Sequence, residues 1–192
     1  MPPAKCNATI SGIGDLLDAV RGVACVDGSR TFATGVSNGG GMAARVACAL
    51  PQRFRAVAPV APGLKAIAPC PKGAPVGILE VHGLADRVVP YGGSGPRHAG
   101  SVLRWLAGWA RRDGCHGDVV LTHVSGRPGA RIARTPFAGC SVPVRHVTLE
   151  GTDHGWPGSG GPFPKHDPTG FDTNAEVVRF FARFPPVPGS HG

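Results

Sequence analysis

Apolar residues recur at helical spacing through residues 10–24, where Ile10, Ile13, Leu16, Leu17 and Val20 share one face. The pattern predicts a helix there, with Ser11 as its cap. Residues 25–30 (CVDGSR) read as a turn. Residues 31–36 (TFATGV) are β-prone and mostly apolar, as a buried parallel strand is. A glycine run follows, and residues 42–50 (MAARVACAL) read as a helix stopped by Pro51. Residues 55–61 and 76–82 give two further apolar strands, separated by a Pro-rich loop over 62–75. A helix is expected over 98–112, where Val102, Leu103, Leu106, Trp109 and Ala110 keep the helical period. Two weaker strands, 119–124 and 130–135, precede a stronger one at 144–149. Residues 152–170 read as a Gly/Pro-rich loop, 173–184 as the last helix and 185–192 as a frayed tail.

Strands alternating with helices predict an α/β domain on a mainly parallel sheet. The 192 residues suit one domain spanning 1–192. No apolar run is long enough to cross a bilayer, so no membrane partner is expected. The net charge of +8 rests on 16 Arg against 4 Lys and raises the question of nucleic acid. The charges fall singly, however, with no dense basic run and no nucleic-acid-binding motif. Attraction to acidic polymers is the milder consequence expected of them.

None of the six cysteines lies in a CxxC pair, which disfavours a zinc ribbon or a thioredoxin motif. An even count fits disulfides in an exported protein, and buried free thiols in a cytosolic one are the other reading. Cys115 and Cys140 flank the two weaker strands and are expected to pair. Cys25, ahead of the strand 31–36, is matched with Cys48 at the end of the next helix. Cys6 is then left for Cys70. Residues 1–5 do not read as a secretion leader.

The chemistry concentrates at Gly35-Val36-Ser37-Asn38-Gly39, a G-x-S-x-G between an apolar strand and a helix. That context is what a nucleophile elbow requires. Ser37 would sit on a strained turn, with glycine neighbours avoiding clashes and a helix N-terminus aimed at developing negative charge. A serine hydroxyl needs a base to take its proton. Asp86 follows the strand 76–82, and His154 follows the strand 144–149. Both loops leave the sheet edge that carries Ser37. His154 is therefore the candidate base and Asp86 the acid that orients it. Asp153 is the weaker candidate acid, because sequence neighbours rarely face each other across a triad. His82 is expected to support the acid loop by hydrogen bonds. His98, His116, His123, His146, His166 and His191 lack metal-ligand spacing, so neither metal nor cofactor is expected.

Three segments, ATGVSNGGGMAARVACALPQRFRAVAPVA, PVGILEVHGLADRVVPYGG and EGTDHGWPG, together resemble the extracellular polyhydroxybutyrate depolymerases and the related feruloyl and acetylxylan esterases. The resemblance covers about residues 10–184. It implies an α/β-hydrolase fold, secretion and serine-esterase chemistry on short acyl, hydroxycinnamoyl or polyester bonds. Carried over residue by residue, it makes Ser37 the nucleophile, Asp86 the acid and His154 the base, with Trp156 an aromatic beside the site. The Asn38 amide is one oxyanion-hole donor. Measured against that family the chain reads as N-terminally shortened. It lacks the first strands and the loop that supplies the second donor, for which Met42 or an amide within Gly39–Gly41 is the candidate substitute. Losing a donor is costly, so a weakly active or non-catalytic polymer-binding remnant is the alternative reading. Missing strands also leave the strand 31–36 at an open edge, and a homodimer through that strand is expected.

Overall fold

The computed structural model describes residues 4–63, 70, 73–93, 101–116, 122–161 and 163–186. In chain order the elements are α1 (Ala4–Val23), β1 (Phe32–Val36), α2 (Asn38–Ala49), β2 (Ala56–Val60), β3 (Gly77–Gly83), α3 (Val102–Arg112), β4 (His123–Ser125), β5 (Ile132–Pro136), β6 (Val144–Leu149) and α4 (Thr173–Phe181). Six strands form one sheet in the order β1-β2-β3-β6-β5-β4. β1, β2, β3 and β6 are parallel, and the β4–β5 hairpin adds antiparallel to β6. The class is thus α/β with a mostly parallel sheet.

The alternation of the strands sorts the core onto two faces. Val57, Ile78 and Val144 face α2 and α3 in a cluster with Val46, Leu106 and Trp109. Ala58, Val60, Leu79, Val81 and Leu149 face α4, where Phe171, Val177, Phe180 and Phe184 close the other layer. β3 is buried along its whole length, as a central parallel strand is. α1 adds Ile13 and Leu17 to the first cluster.

Several boundaries differ from the sequence reading, each for a physical reason. α1 starts at Ala4, so Ser11 lies inside the helix and does not cap it. α2 starts at Asn38, directly after Ser37, and takes in the glycine run. Helix propensity disfavours that run, but close packing requires it. A Cβ on Gly40 would fall 2.8 Å from the Gly35 carbonyl oxygen and 2.9 Å from that of Val60, and one on Gly41 would fall 2.8 Å from that of Gly63. β1 is half-buried with Thr34 exposed, because it is the sheet edge among the described residues. The first weak strand is described over His123–Ser125. Residues 117–121, 98–100 and 187–192 lie outside the described residues.

Among the described residues the disulfides are Cys115–Cys140 and Cys48–Cys70. The expected pairs Cys25–Cys48 and Cys6–Cys70 are therefore corrected. Cys48, in the last turns of α2, and Cys70 both pack on the α2/α3-side cluster and meet there. Cys25 follows α1 on the outside of the fold and is an exposed free thiol. The Cys6 side chain lies outside the described residues.

Candidate active site

Ser37 joins the carboxyl end of β1 to the first turn of α2 with φ 56° and ψ −120°. A non-glycine residue at positive φ carries strain, on the order of 1–3 kcal/mol. The surrounding backbone holds it there. The Ser37 amide donates to the Val60 carbonyl at 3.0 Å, and its own carbonyl accepts from Gly41 at 2.9 Å and Gly63 at 2.8 Å. Ala61, the other non-glycine residue at positive φ among the described residues, lies in the loop that supplies Gly63. Strand and helix approach so closely that a Cβ on Gly35 would lie 2.7 Å from the Gly39 carbonyl carbon. Gly39 itself has open space where its Cβ would be. Of the two motif glycines, crowding thus demands the first only.

Gly35→Ala is accordingly expected to lower stability by about 1–3 kcal/mol through overpacking, and Gly39→Ala to leave it within about 0.5 kcal/mol. Thermal melts of the two variants check this. Equal melting temperatures would contradict the geometry.

The amides of Asn38, Gly39 and Gly40 open α2 and have no acceptor within the helix. Asn38 and Gly39 are exposed. Gly41 is committed to Ser37, and the Met42 amide falls within the helical ladder, so neither fits the second-donor role raised from sequence.

The two remaining candidates are brought together at the same sheet edge. Leu84 N–H donates to the Leu149 carbonyl at 2.9 Å, and Ala85 N–H to that of Thr152 at 3.0 Å, tying the loop after β3 to the loop after β6. Gly83 permits the approach, since a Cβ there would overlap the Thr152 carbonyl. Across this junction His154 Nδ1 donates to Asp86 Oδ2 at 2.7 Å. The other Asp86 oxygen accepts from the amides of Val88 at 2.8 Å and Val89 at 2.7 Å. The Asp86 carboxylate is fully buried, whereas the imidazole of His154 keeps 14% of its surface. Asp153 is turned elsewhere: its carboxylate accepts from the His154 amide at 2.8 Å.

Trp156 packs against the α4-side cluster, and its indole N–H donates to Asn174 Oδ1 at 3.0 Å. Its visible contacts are thus packing contacts. The loop that carries it is pinned. Asp153 N–H donates to the His166 carbonyl at 2.9 Å, and a Cβ on Gly155 would overlap Pro164. Among the described residues, no group of three or more His, Cys, Asp or Glu is placed to hold a metal ion.

Sequence reasoning gave His82 a supporting part and missed Glu80 and His146. Glu80 and His82 lie on the same face of β3, and the parallel register sets Glu80 beside His146 of β6. His82 Nδ1 is 2.8 Å from Glu80 Oε1, and His146 Nδ1 is 2.6 Å from Glu80 Oε2. Tyr91 Oη is 2.9 Å from His146 Nε2. The available signal was two titratable residues at i and i+2 in an otherwise apolar strand.

These groups shift one another. Burial alone would raise Asp86, but hydrogen bonds from His154, His82 and the Val89 amide hold its carboxyl far below the usual range. Burial opposes Glu80 in the same way and is outweighed by His146 and His82, so its carboxyl is also lowered. Burial would lower His82, yet its bonds to Asp86 and Glu80 raise it to about 10. Burial, with the Glu80 charge, pushes Tyr91 up to about 12.

The signs give a prediction for stability. Lowered carboxyls stabilise fully above their ordinary values of 3.8 and 4.5 and lose this as the pH falls. A raised histidine stabilises fully below its ordinary 6.5 and loses this as the pH climbs toward about 10. Urea unfolding across the pH range is expected to give a maximum between those limits, with a decline on the alkaline side. Stability that rises through the alkaline range would contradict the assignment.

The acetyl xylan esterase (AXE1) family model matches residues 12–67, from α1 past the Ser37 elbow and β2. "Feruloyl esterase C" of Emericella nidulans is 35% identical over 149 residues, covering 77% of this chain and 51% of that protein. "Probable feruloyl esterase C" of Aspergillus terreus is 35% identical over 152 residues, with the same coverage. "Feruloyl esterase B" of Piromyces equi is 36% identical over 106 residues, covering 50% of this chain and 20% of that protein. The chain spans about half the length of the curated relatives it matches.

Proposed function

The chain belongs to the feruloyl and acetyl xylan esterase family, and from that premise we propose that it is a serine carboxylic-ester hydrolase of α/β-hydrolase fold. One observation carries the reading. The buried Asp86 carboxylate holds the accessible His154 at the sheet edge where Ser37 is strained into an elbow. In the proposed reaction His154 Nε2 takes the Ser37 proton as Oγ attacks the ester carbonyl. The oxyanion meets the free amides of the first α2 turn, Asn38 foremost. The carbon–oxygen bond to the alcohol breaks, and the alcohol leaves with the proton from His154. Water, deprotonated by His154, then releases the acid and restores Ser37.

The substrates proposed are esters of short acyl or hydroxycinnamoyl groups, with polyesters a further class. The relatives' names favour feruloyl esters, and Trp156 is the aromatic proposed to flank the acyl group. Two disulfides fit an oxidising compartment, so export is part of the proposal. A panel of p-nitrophenyl esters, methyl ferulate and polyester film tests the reading. Turnover of methyl ferulate above that of p-nitrophenyl acetate is expected, and no turnover of any ester would overturn it.

A two-fold dimer through β1 completes the proposal. Among the described residues β1 pairs on one side only. Beside it α1 leaves Leu16, Val20 and Val23 exposed. A cleft of about 450 Å³ between them is lined by Leu17, Val20, Val26 and Phe32 with Arg21 and Arg30. Open edges of this kind invite strand pairing. Light scattering is expected to return the mass of two chains, and an active species of 19.6 kDa would contradict it.

A further inference from the structure

We infer that Glu80 and His82 form a buried ion pair that positions Asp86 for His154, an inference that rests on the esterase reading above. Counting hydrogens across the cluster leads to it. The Val89 carbonyl can only accept, and His82 Nε2 lies 2.9 Å from it and 3.4 Å from Asp86 Oδ2. Nε2 therefore carries a proton. Nδ1 faces Glu80 Oε1 at 2.8 Å. With Asp86 anionic beside it, a proton is best placed on that nitrogen too, which makes His82 an imidazolium between two carboxylates. His82, Glu80 and Asp86 are fully buried as side chains, so none of these charges is screened by water.

The rest of the cluster is consistent with this assignment. Tyr91 Oη is hydrogen-bonded to His146 Nε2 at 2.9 Å, and His146 Nδ1 lies 2.6 Å from the second Glu80 oxygen. Glu80 thus has an imidazole beside each oxygen, of which His82 makes the hydrogen bond. Asp86 receives the Val88 and Val89 amides on Oδ1, and His154 with His82 on Oδ2. The hydrogen-bonding atoms of His82 and Asp86 are thus all partnered, whereas Glu80 Oε2 and His146 Nδ1 lie in charge contact without hydrogen-bond alignment. None of the five residues Glu80, His82, Asp86, Tyr91 and His146 is needed to touch the substrate. Glu80 and His82 are positioning residues. Glu80 fixes the charge and angle of His82, and His82 keeps Asp86 ionised and aimed at His154. The raised value of His82, about 10, agrees.

The test uses the whole chain with 15N-labelled histidine. In the parent both His82 ring nitrogens are expected to read as protonated from about pH 6 to pH 8.5, well past the ordinary histidine value. Glu80→Gln keeps the shape and removes the charge. His82 is then expected to lose its second proton near neutrality. The kcat on an activated ester is expected to fall about tenfold or more with KM nearly unchanged, as when a charge-assisted hydrogen bond is lost. A merely structural Glu80 would lower the melting temperature without that spectral change or that split. A parent whose His82 titrates near pH 6.5, or a folded Glu80→Gln with kcat within about twofold, would overturn the inference. Should Glu80→Gln not fold, the parent spectrum decides alone. An ester-inactive parent with doubly protonated His82 would overturn the esterase reading and leave the ion pair standing.

Discussion

Ser37→Ala is expected to remove ester hydrolysis while the fold persists. The serine side chain contributes no helix-capping hydrogen bond, and the strained turn is held by backbone bonds from Val60, Gly41 and Gly63. Deleting a hydroxyl there costs the core nothing. What it removes is the atom that would carry the acyl group. Loss of any member of such a triad leaves only the catalysis that binding and the oxyanion donors supply, so a fall of about 10⁴ or more in kcat is expected. Rates on p-nitrophenyl acetate, read beside a circular dichroism melt, check both halves. A variant that keeps more than about 1% of parental kcat, against that four-decade expectation, would remove Ser37 from the mechanism.

Asp86→Asn is the second large effect. Asp86 is acceptor-only and takes His154 Nδ1–H on the oxygen that also faces His82. An amide at that position has one acceptor oxygen and one donor nitrogen. If the oxygen keeps the Val88 and Val89 amides, the nitrogen is turned to His154 and forces the other tautomer, with Nε2 protonated and unable to take the Ser37 proton. A loss of about 10⁴ in kcat is the scale for that exchange. The same nitrogen would also confront His82 donor to donor, so this variant is expected to lose stability as well, which Ser37→Ala is not. Asp153→Asn is the internal comparison. Its carboxylate serves the His154 amide and not the ring, and it should cost far less than Asp86→Asn.

Much of this was legible in the sequence because the signals were local. G-x-S-x-G between an apolar strand and a helix gave the elbow, β3 was readable from its apolar run, and β6 from its β-branched residues. The chain order of Ser37, Asp86 and His154 then placed all three on one edge, since parallel strands present their carboxyl ends together. Other features were not local. The glycine run after Ser37 carries no helix signal of its own, because propensity ignores what lies behind a helix. Only the crowding of Gly35, Val60 and Gly63 around Gly40 and Gly41 makes it the start of α2. Cys48 pairs with Cys70 and not Cys25 because α2 and the loop after β2 converge on one cluster, and spacing along the chain does not reveal that. The Glu80–His146 contact depends on the β3–β6 register, with a long stretch of chain between the partners. Trp156, expected as an aromatic beside the site, is half-buried and hydrogen-bonded through its indole N–H to Asn174 of α4, a partner the sequence did not indicate.

The central claim is that Ser37 is an activated nucleophile. It is tested most directly by incubating the purified chain with a fluorophosphonate and mapping the modified peptide by mass spectrometry. Phosphonylation needs a serine whose proton has somewhere to go, and the eighteen other hydroxyl side chains of the sequence are not expected to satisfy that condition. One phosphonyl group on Ser37, absent from Ser37→Ala and strongly slowed in Asp86→Asn, is the expected result. A parent chain that stays unlabelled, or that is labelled at another serine, would contradict the account.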